Sequence, residues 1–500
     1  MAEGTRSIDD LMADDDYCQA ALVDAVDGLR TRFPDASASV AFTRSQKITA
    51  GVIAAVVIGC AIAWPMPTAT VLVCTMTVIY VLALIDRLLI FQRGLMGGAI
   101  HIPDEQARAI ADDDLPNYTV LVPAYNEPEV VGDLIANMRA LEYPPEKVQV
   151  LLLLEADDDV TIEAARGLDD DGMVTVVKVP PADPRTKPKA CNYGLHFATG
   201  DIITIFDAED EPDPLQLRRV AAAFADADDD VVCVQGKLSF HNAKDNTLTE
   251  WFTADYGIWF GFLLPGIMAS RSPIPLGGTS NHFRKSLLDE IGAWDPHNVT
   301  EDADLGVRIA ARGYRTAVID SVTLEEANVD GINWVRQRSR WYKGYMQTWL
   351  VHMRHPVQLW KAIGPVQMYR FTLLLAGTPA IACINMLFWL ILITWITGAP
   401  PAIAKLFPVP FYYLALASLV FGNTAAIYMN IIAIREDDRS ELFWSSLLVP
   451  AYWVMMSIAA IKGMFQLITS PSYWEKTVHG LADSSNKNSD PDPGHEDGTS

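Results

Sequence analysis

Apolar residues in this chain come in blocks long enough to cross a bilayer, and those blocks flank one long polar region. The first block runs from about Ile48 to Trp64. After a Pro65-Met66-Pro67 break, a second runs from Ala69 to Ile90. A helix spans a hydrocarbon core of about 30 Å with roughly 20 apolar residues, a length the first block barely reaches. So short a link predicts an antiparallel hairpin with both flanks on one side of the membrane. Three more blocks follow the polar region, at about 370–397, 411–434 and 442–468. The first and last of these exceed one perpendicular span, so tilt, or a break at Pro379 or Pro450, is expected. The direct count is five spans. The alternative, that one block is a buried soluble helix, is disfavoured by the length of the set.

The blocks divide the chain. Residues 1–46 are expected to be an acidic, largely disordered segment, 47–91 a transmembrane hairpin and 92–365 a soluble domain with interfacial helices. Residues 366–470 are expected to be transmembrane helices and 471–500 a tail. The amino terminus opens on Asp9, Asp10, Asp14, Asp15 and Asp16 without an early apolar core, which is not a signal peptide. Residues 482–500 hold almost no apolar side chains and cannot offset ordering entropy. Half the residues are hydrophobic, yet 62 acidic against 38 basic residues give a formal charge of −24. Apolar surface and negative charge must therefore sit apart. This disfavours a disordered protein, a disulfide scaffold and a general nucleic-acid binder, and it fits a membrane enzyme with an acidic soluble portion. Cys18, Cys60, Cys74, Cys191, Cys233 and Cys383 form no C-x-x-C pair and read as scattered thiols.

Within the polar region, β-rich runs alternate with helical patterns. The runs are Tyr118–Val122, Val148–Leu154, Val174–Val179, Asp201–Phe206 and Val231–Leu238; the helices include Glu129–Leu141 and Pro214–Ala225. Near-continuous apolar strands alternating with helices predict a mostly parallel, two-faced sheet that binds ligands at its strand carboxyl ends. Acidic residues sit at those ends: Tyr125-Asn126-Glu127, then Glu155-Ala156-Asp157-Asp158-Asp159, then Asp207-Ala208-Glu209-Asp210. Loop solvation accounts for any one of them. Three on one rim imply a cation and a phosphate-bearing ligand. Neither G-x-G-x-x-G after the first strand nor a Walker A motif is present, which argues against a dinucleotide oxidoreductase and a P-loop NTPase.

Downstream, Thr300-Glu301-Asp302 precedes the amphipathic stretch Ala303–Arg312, where a helix cap is the simplest reading. Then comes Gln337-Arg338-Ser339-Arg340-Trp341. On a helix Gln337, Arg340 and Trp341 share a face, with Gly344 leaving room, while Arg336, Arg338 and Lys343 add positive charge. A basic amphipathic helix on the bilayer is compatible with the same pattern. The aromatic segment Trp251–Leu264 serves either as an interfacial helix or as a core helix.

The order V-P-A-Y-N-E, E-A-D-D, K-P-K-A-x-N, D-A-E-D, T-E-D, Q-x-x-R-W resembles the membrane-integrated family 2 glycosyltransferases, which include cellulose, hyaluronan and poly-N-acetylglucosamine synthases. The likeness covers about residues 117–345, and the hairpin-before, spans-after layout agrees with it. The resemblance implies an α/β GT-A-type (Rossmann-like) catalytic domain inserted between transmembrane α-helical segments. It implies an inverting transfer from a nucleotide diphosphate sugar, usually UDP-linked. Carried over by position, Tyr125 and Glu127 would hold the uracil with Glu155 or Asp157, and Lys189 would contact a phosphate. Asp207 and Glu209 match the D-x-D pair, with Glu in the second place, and would hold Mg²⁺ or Mn²⁺. Asp302 matches the general base. Glu301, Gln337, Arg340 and Trp341 match the groups around the acceptor and pyrophosphate. Gly277–His282 resembles an acceptor-lining stretch, and Tyr473–Thr477 the family's mobile loop.

The leading expectation is a processive synthase that elongates a glycan and threads it through its own spans, with accessory export proteins as possible partners. The alternative is transfer of one sugar to a membrane lipid. A multispan transporter would need ionisable residues in its spans, which offer chiefly Asp86, Arg87 and Lys462 near their edges. An inactive exporter scaffold is at odds with the complete acidic rim. A multi-pass plasma-membrane protein with a cytoplasmic catalytic domain follows from the donor's location. Five crossings would put the carboxyl terminus outside, so an even effective number, with one block split or re-entrant, is expected.

Overall fold

The computed structural model describes residues 7–166, 173–398 and 401–471. Asp14 caps α1 (Asp15–Arg32) through the Tyr17 N–H, and Arg30 and Arg32 close its last turn. Both ends thus suit the helix dipole. Ala21, Leu22, Ala25 and Leu29 are buried along one face. The expectation of a largely disordered 1–46 is corrected here: Ile8–Met12 and α1 are helical. The acid lies on the solvent face of α1, and a helical apolar stripe lies beneath it.

A Thr43–Gln46 capping box starts α2 (Arg44–Ala63), and Pro65 occupies the first position of α3 (Pro65–Gly97). Trp64 alone separates them, at the expected break. With 33 residues, α3 is about 50 Å long and outruns a hydrocarbon core. It passes its expected end at Ile90 because its last turns pack on protein.

The polar region follows as β1 (Tyr118–Ala124), α4 (Val131–Arg139), β2 (Val148–Glu155), β3 (Val174–Val179), α5 (Lys187–Leu195), β4 (Ile202–Ile205), β5 (Glu211–Pro212), α6 (Gln216–Asp226) and β6 (Val231–Phe240). It continues with α7 (Thr247–Ile258), α8 (Leu264–Ala269), β7 (Asn281–Arg284), α9 (Glu301–Ala311), β8 (Arg315–Glu325) and α10 (Gly331–His352). The sheet order is β3-β2-β1-β4-β7-β6-β8-β5. Strands β1–β4, β6 and β8 run one way, and β7 and β5 run against them. Alternate residues of β1 and β2 feed opposite cores. Leu121, Leu151 and Leu153 pack with Ala190 and Tyr193 of α5; Val120, Val122, Leu152 and Leu154 pack with α4 and α6. Each such buried side chain contributes about 1.5–3 kcal/mol. All five expected strands are present. The sequence reading did not include β7 and β8: β7 is four residues long with only Phe283 apolar, and in β8 the apolar run Ala317–Ile319 is only three residues long and is flanked by Thr316 and Asp320.

Trp251–Leu264 becomes α7 and a π-helical turn leading into α8, with Phe252, Ile258, Phe260, Phe262, Leu263 and Leu264 buried. It is a core segment that also packs on α3. A Cβ on Gly94 would lie 2.0 Å from the Phe262 carbonyl oxygen, and one on Gly266 2.0 Å from that of Ile90. Backbone therefore touches backbone, and only glycine permits it.

The last helices are α11 (Thr378–Gly398), α12 (Val409–Glu436) and α13 (Val449–Thr469). Among the described residues four helices, α2, α3, α12 and α13, are long and apolar enough to cross a membrane. Helix α11 occupies the remaining expected block. Pro450 falls in the first turn of α13, which follows the short helix Phe443–Leu447, whereas Pro379 follows a π-helical turn (Leu373–Gly377) that joins Pro365–Thr372 to α11 without a break. Tyr473–Thr477 and 482–500 lie outside the described residues.

Candidate active site

Because β1, β2, β4, β6 and β8 run together, their carboxyl ends form one rim, and β7 enters from it. A cavity of about 1230 Å³ opens there. Tyr125, Glu127, Glu155, Asp207, Glu209, Glu301, Asp302, Gln337, Arg340 and Trp341 all line it, together with Gly277 and Gly278. It continues between helices, past Asp86 and Arg87 of α3, Asn385 of α11, Met429 of α12 and Met456 of α13.

Local structure sets the first rim cluster. Asn126 takes a left-handed conformation (φ 59°) after β1, and its N–H donates to Asp158 Oδ2 at 2.6 Å. Asp158 also caps the next helix at the Thr161 N–H, 3.2 Å away. One of the second cluster's acids thus builds the loop that carries Tyr125 and Glu127.

Two expected site residues are not brought to the cavity. Asp157 is about half exposed and pairs with Arg185 at 2.7 Å. Lys189 is fully buried, and its ammonium is held by both Glu155 oxygens at 2.7 and 2.9 Å. Instead Lys187 lines the cavity, ion-paired with Asp207 and donating to the Gly278 carbonyl at 2.7 Å. Residues two apart on α5 face opposite ways, so only one lysine of the motif reaches the rim. The motif places both at the helix start; only the helix phase distinguishes them.

Charge is concentrated here. Burial pushes Glu301 up to about 7. Burial raises Asp302 well above the ordinary carboxylate range, Glu301 adds to the rise and Lys187 opposes it. For Lys187 burial works against the charged form, but Asp207 and Asp302 outweigh it and hold the ammonium charged. The Thr300 side chain makes no cap hydrogen bond, so the trio is not a capping motif. Glu325, at the end of β8, also faces the rim. Burial, then Asp210, Asp207 and Glu209, push it up. Asp210 is itself raised by burial and Asp207, and its Oδ1 is buried without a partner. Such crowding of hard oxygen donors suits a divalent cation. Among the described residues no three His, Cys, Asp or Glu gather closely enough to hold one alone. Two carboxylates completed by ligand phosphates is a fit for Mg²⁺-type coordination.

On α10, capped by Asp330 at the Asn333 N–H (2.7 Å), Gln337 accepts from Asn328 Nδ2 at 2.9 Å. Arg338 also lines the cavity. It pairs with Asp255 at 2.7 Å and lies 4.6 Å over the Trp341 ring and 4.7 Å over Phe252. Tyr256 stacks near Trp341 at 6.5 Å, so the indole orientation is fixed by packing. A Cβ on Gly344 would fall 2.3 Å from Thr300 Cγ2; the room the glycine leaves is filled by the T-E-D threonine. Sequence reasoning also missed Arg370, which bonds Asp86 at 3.2 Å and Ser272 at 3.2 Å beside the cavity.

Residues 116–344 match the family model described as glycosyltransferase like family 2. The chain is 27% identical over 235 residues to the probable glycosyltransferase YdaM of Bacillus subtilis, covering 46% of this chain and 56% of that protein. It is 24% identical over 397 residues to a beta-monoglucosyldiacylglycerol synthase of Synechocystis, covering 73% and 76%. It is 26% identical over 203 residues to poly-beta-1,6-N-acetyl-D-glucosamine synthase of Staphylococcus aureus, covering 41% and 48%. The match thus spans about half the length of the first and third relatives. In fold it is similar to the mannosyltransferase PcManGT from Pyrobaculum calidifontis, solved with GDP-Man and Mn²⁺. The TM-score is 0.54 and identity 20%, covering 80% of this chain and 99% of that one.

Proposed function

We propose, from the premise that residues 116–344 are a family 2 glycosyltransferase domain of GT-A type, that the protein transfers a sugar from a UDP-sugar to a growing glycan with inversion. The observation that carries this is one cavity joining the acidic rim, Asp302, the Gln337–Arg340–Trp341 face and the apolar helices. Tyr125 and Glu127 hold the nucleobase beside Glu155. Lys187, in the place expected of Lys189, meets the diphosphate. Asp207 and Glu209 would hold Mg²⁺ or Mn²⁺, which when bound neutralises charge on the departing diphosphate. Asp302, as the carboxylate, takes the proton from the acceptor hydroxyl as that oxygen attacks the anomeric carbon and the bond from that carbon to the diphosphate breaks. Glu301, Gln337 and Arg340 orient the acceptor, and Trp341 offers it a ring face. The catalytic domain is cytoplasmic, the helices make the protein multi-pass, and the cavity's helix-lined part is the start of the product's path.

Membranes supplied with a panel of UDP-sugars and sized for product test this. Products lengthening beyond one sugar support it. A product that stops at one sugar on a lipid defeats it in favour of lipid glycosylation, a reading favoured by the apolar walls Leu373, Leu374, Ile381 and Met429. Asp302→Asn is expected to keep donor binding and lose transfer by about 10²–10⁴-fold; retained turnover refutes the base assignment.

A further inference from the structure

We propose that His352 is a positioning residue: through Asp304 it sets where the acceptor-facing side of α10 stands against Asp302. This rests on the active-site reading above. Asp302 and Asp304 sit two residues apart on α9 and so project to different sides, Asp302 into the cavity and Asp304 into the protein. Asp304 is fully buried and accepts from Arg308 Nε at 2.7 Å on its own helix and faces His352 Nε2 at 2.9 Å from α10. Burial would raise this carboxyl, but Arg308 and His352 outweigh it and hold it below its ordinary value. Arg308 also donates to the Ile291 and Ala293 carbonyls at 3.2 and 2.6 Å, which immobilises its end of the bridge.

Gln337, Trp341, Gly344, Thr348 and His352 recur at three- and four-residue steps and share one face of α10. The amino-terminal half of that face meets the cavity. Its other half is anchored to α9 and the loop before it. Gly344 abuts Thr300, Thr348 Oγ1 accepts from Asn298 Nδ2 at 3.0 Å, and His352 meets Asp304. A rigid helix held so cannot turn without moving Trp341. A rotation of about 10° shifts a side chain some 6 Å from the axis by about 1 Å. Misplacement of about 1 Å costs on the order of 10²-fold in rate.

The test compares sugar transfer with hydrolysis of the donor by water, which needs no acceptor. In His352→Ala, transfer is expected to fall about 10- to 100-fold and the acceptor KM to rise. Donor KM and donor hydrolysis hold, and His352→Gln, whose amide reaches as far, restores transfer. Leu359→Ala, in the buried cluster whose Phe371 ring lies 6.1 Å from His352, controls for lost stability and should leave the transfer-to-hydrolysis ratio unchanged. Transfer and hydrolysis falling together in His352→Ala, or the ratio falling equally in Leu359→Ala, overturns the proposal. A wild-type protein that transfers from no UDP-sugar sinks the active-site reading, and this inference with it.

Discussion

Replacing Gly344 by alanine tests the junction on which the site depends. The added methyl would lie 2.3 Å from Thr300 Cγ2 and 2.5 Å from Thr300 Oγ1. Carbon atoms rest about 3.5 Å apart, so α10 must withdraw from Thr300 by about 1 Å or Thr300 must turn. Overpacking of this kind costs about 1–3 kcal/mol, and removing glycine from a helix interior returns about 1 kcal/mol. The net loss of stability is therefore about 0–2 kcal/mol, and the protein should fold. Activity should suffer more, since the same withdrawal of about 1 Å moves Trp341 and Arg340 away from Asp302. A loss on the order of 10²-fold in transfer is expected, with donor affinity unchanged. Thr300→Ala removes the two nearest atoms and leaves Cβ at 2.8 Å, so it should partly rescue Gly344→Ala. A double-mutant cycle read on both melting temperature and transfer should give a coupling of about 0.5–3 kcal/mol. Additive effects, or a fully active Gly344→Ala, would show that α10 does not set acceptor geometry through this contact.

Three further outcomes follow from the geometry. Lys187→Met should raise the donor KM and spare folding. Lys189→Met strands Glu155 in the interior, so it should destabilise by about 3–5 kcal/mol in denaturant titrations; the reverse pattern would restore Lys189 as the phosphate contact. Glu301 is pushed up to about 7, so ionising it costs more in the folded than in the unfolded chain. Its contribution to stability is full below the ordinary carboxylate value and is lost as pH rises through about 7. The fall in melting temperature between pH 5 and 8 should therefore shrink in Glu301→Gln, and an unchanged slope would contradict the assignment. Chelation with EDTA should stop transfer and added Mn²⁺ or Mg²⁺ restore it; transfer that survives chelation would remove the metal from Asp207 and Glu209.

What the sequence made legible was local. Apolar strands ending in acidic loops placed Glu127, Glu155, Asp207 and Glu209 on one rim, because strand direction alone decides which end a loop occupies. Helical spacing put Gln337, Arg340 and Trp341 on one face. What escaped depended on partners distant in the chain. Lys187 and Lys189 are equally basic and two residues apart. Only the sheet beneath α5 decides that Lys189 meets Glu155 while Lys187 faces Asp207. Strand β8 has an apolar run of only three residues, Ala317–Ile319, six positions before its end, so its pattern did not announce Glu325. The acidic amino terminus looked solvated because its charge hid the stripe Ala21, Leu22, Ala25 and Leu29. That stripe has value only once α5 is present: Asn192 of the K-P-K-A-C-N motif donates to both the Ala25 and Trp294 carbonyls.

The same long-range dependence joins the catalytic domain to its apolar helices. Arg338 bonds Asp255 of α7 and Tyr452 of α13, 2.7 and 3.1 Å away, while its guanidinium covers Trp341. A Cβ on Gly463 of α13 would lie 2.7 Å from the Ser339 carbonyl oxygen, so α13 touches α10 backbone to backbone. Lys237 of β6 pairs with Asp437, just past α12, at 2.5 Å. At the other end, Arg354 donates to the carbonyls of Asp35, Ser37 and Val40, and Gln46 of α2 donates to the Leu350 carbonyl. The helix that carries Gln337, Arg340 and Trp341 is therefore held by α9 on one side and by α13 on another, and its carboxyl end is tied to the segment entering α2. None of these contacts involves β1, β2 or β4, whose loops would carry the proposed donor site. On the proposed reading the two halves of the reaction thus rest on different supports: the sheet would hold the donor, and the apolar helices would help hold the acceptor. The apolar helices therefore bear on the proposed active site, because α13 packs against α10 and helps fix its position.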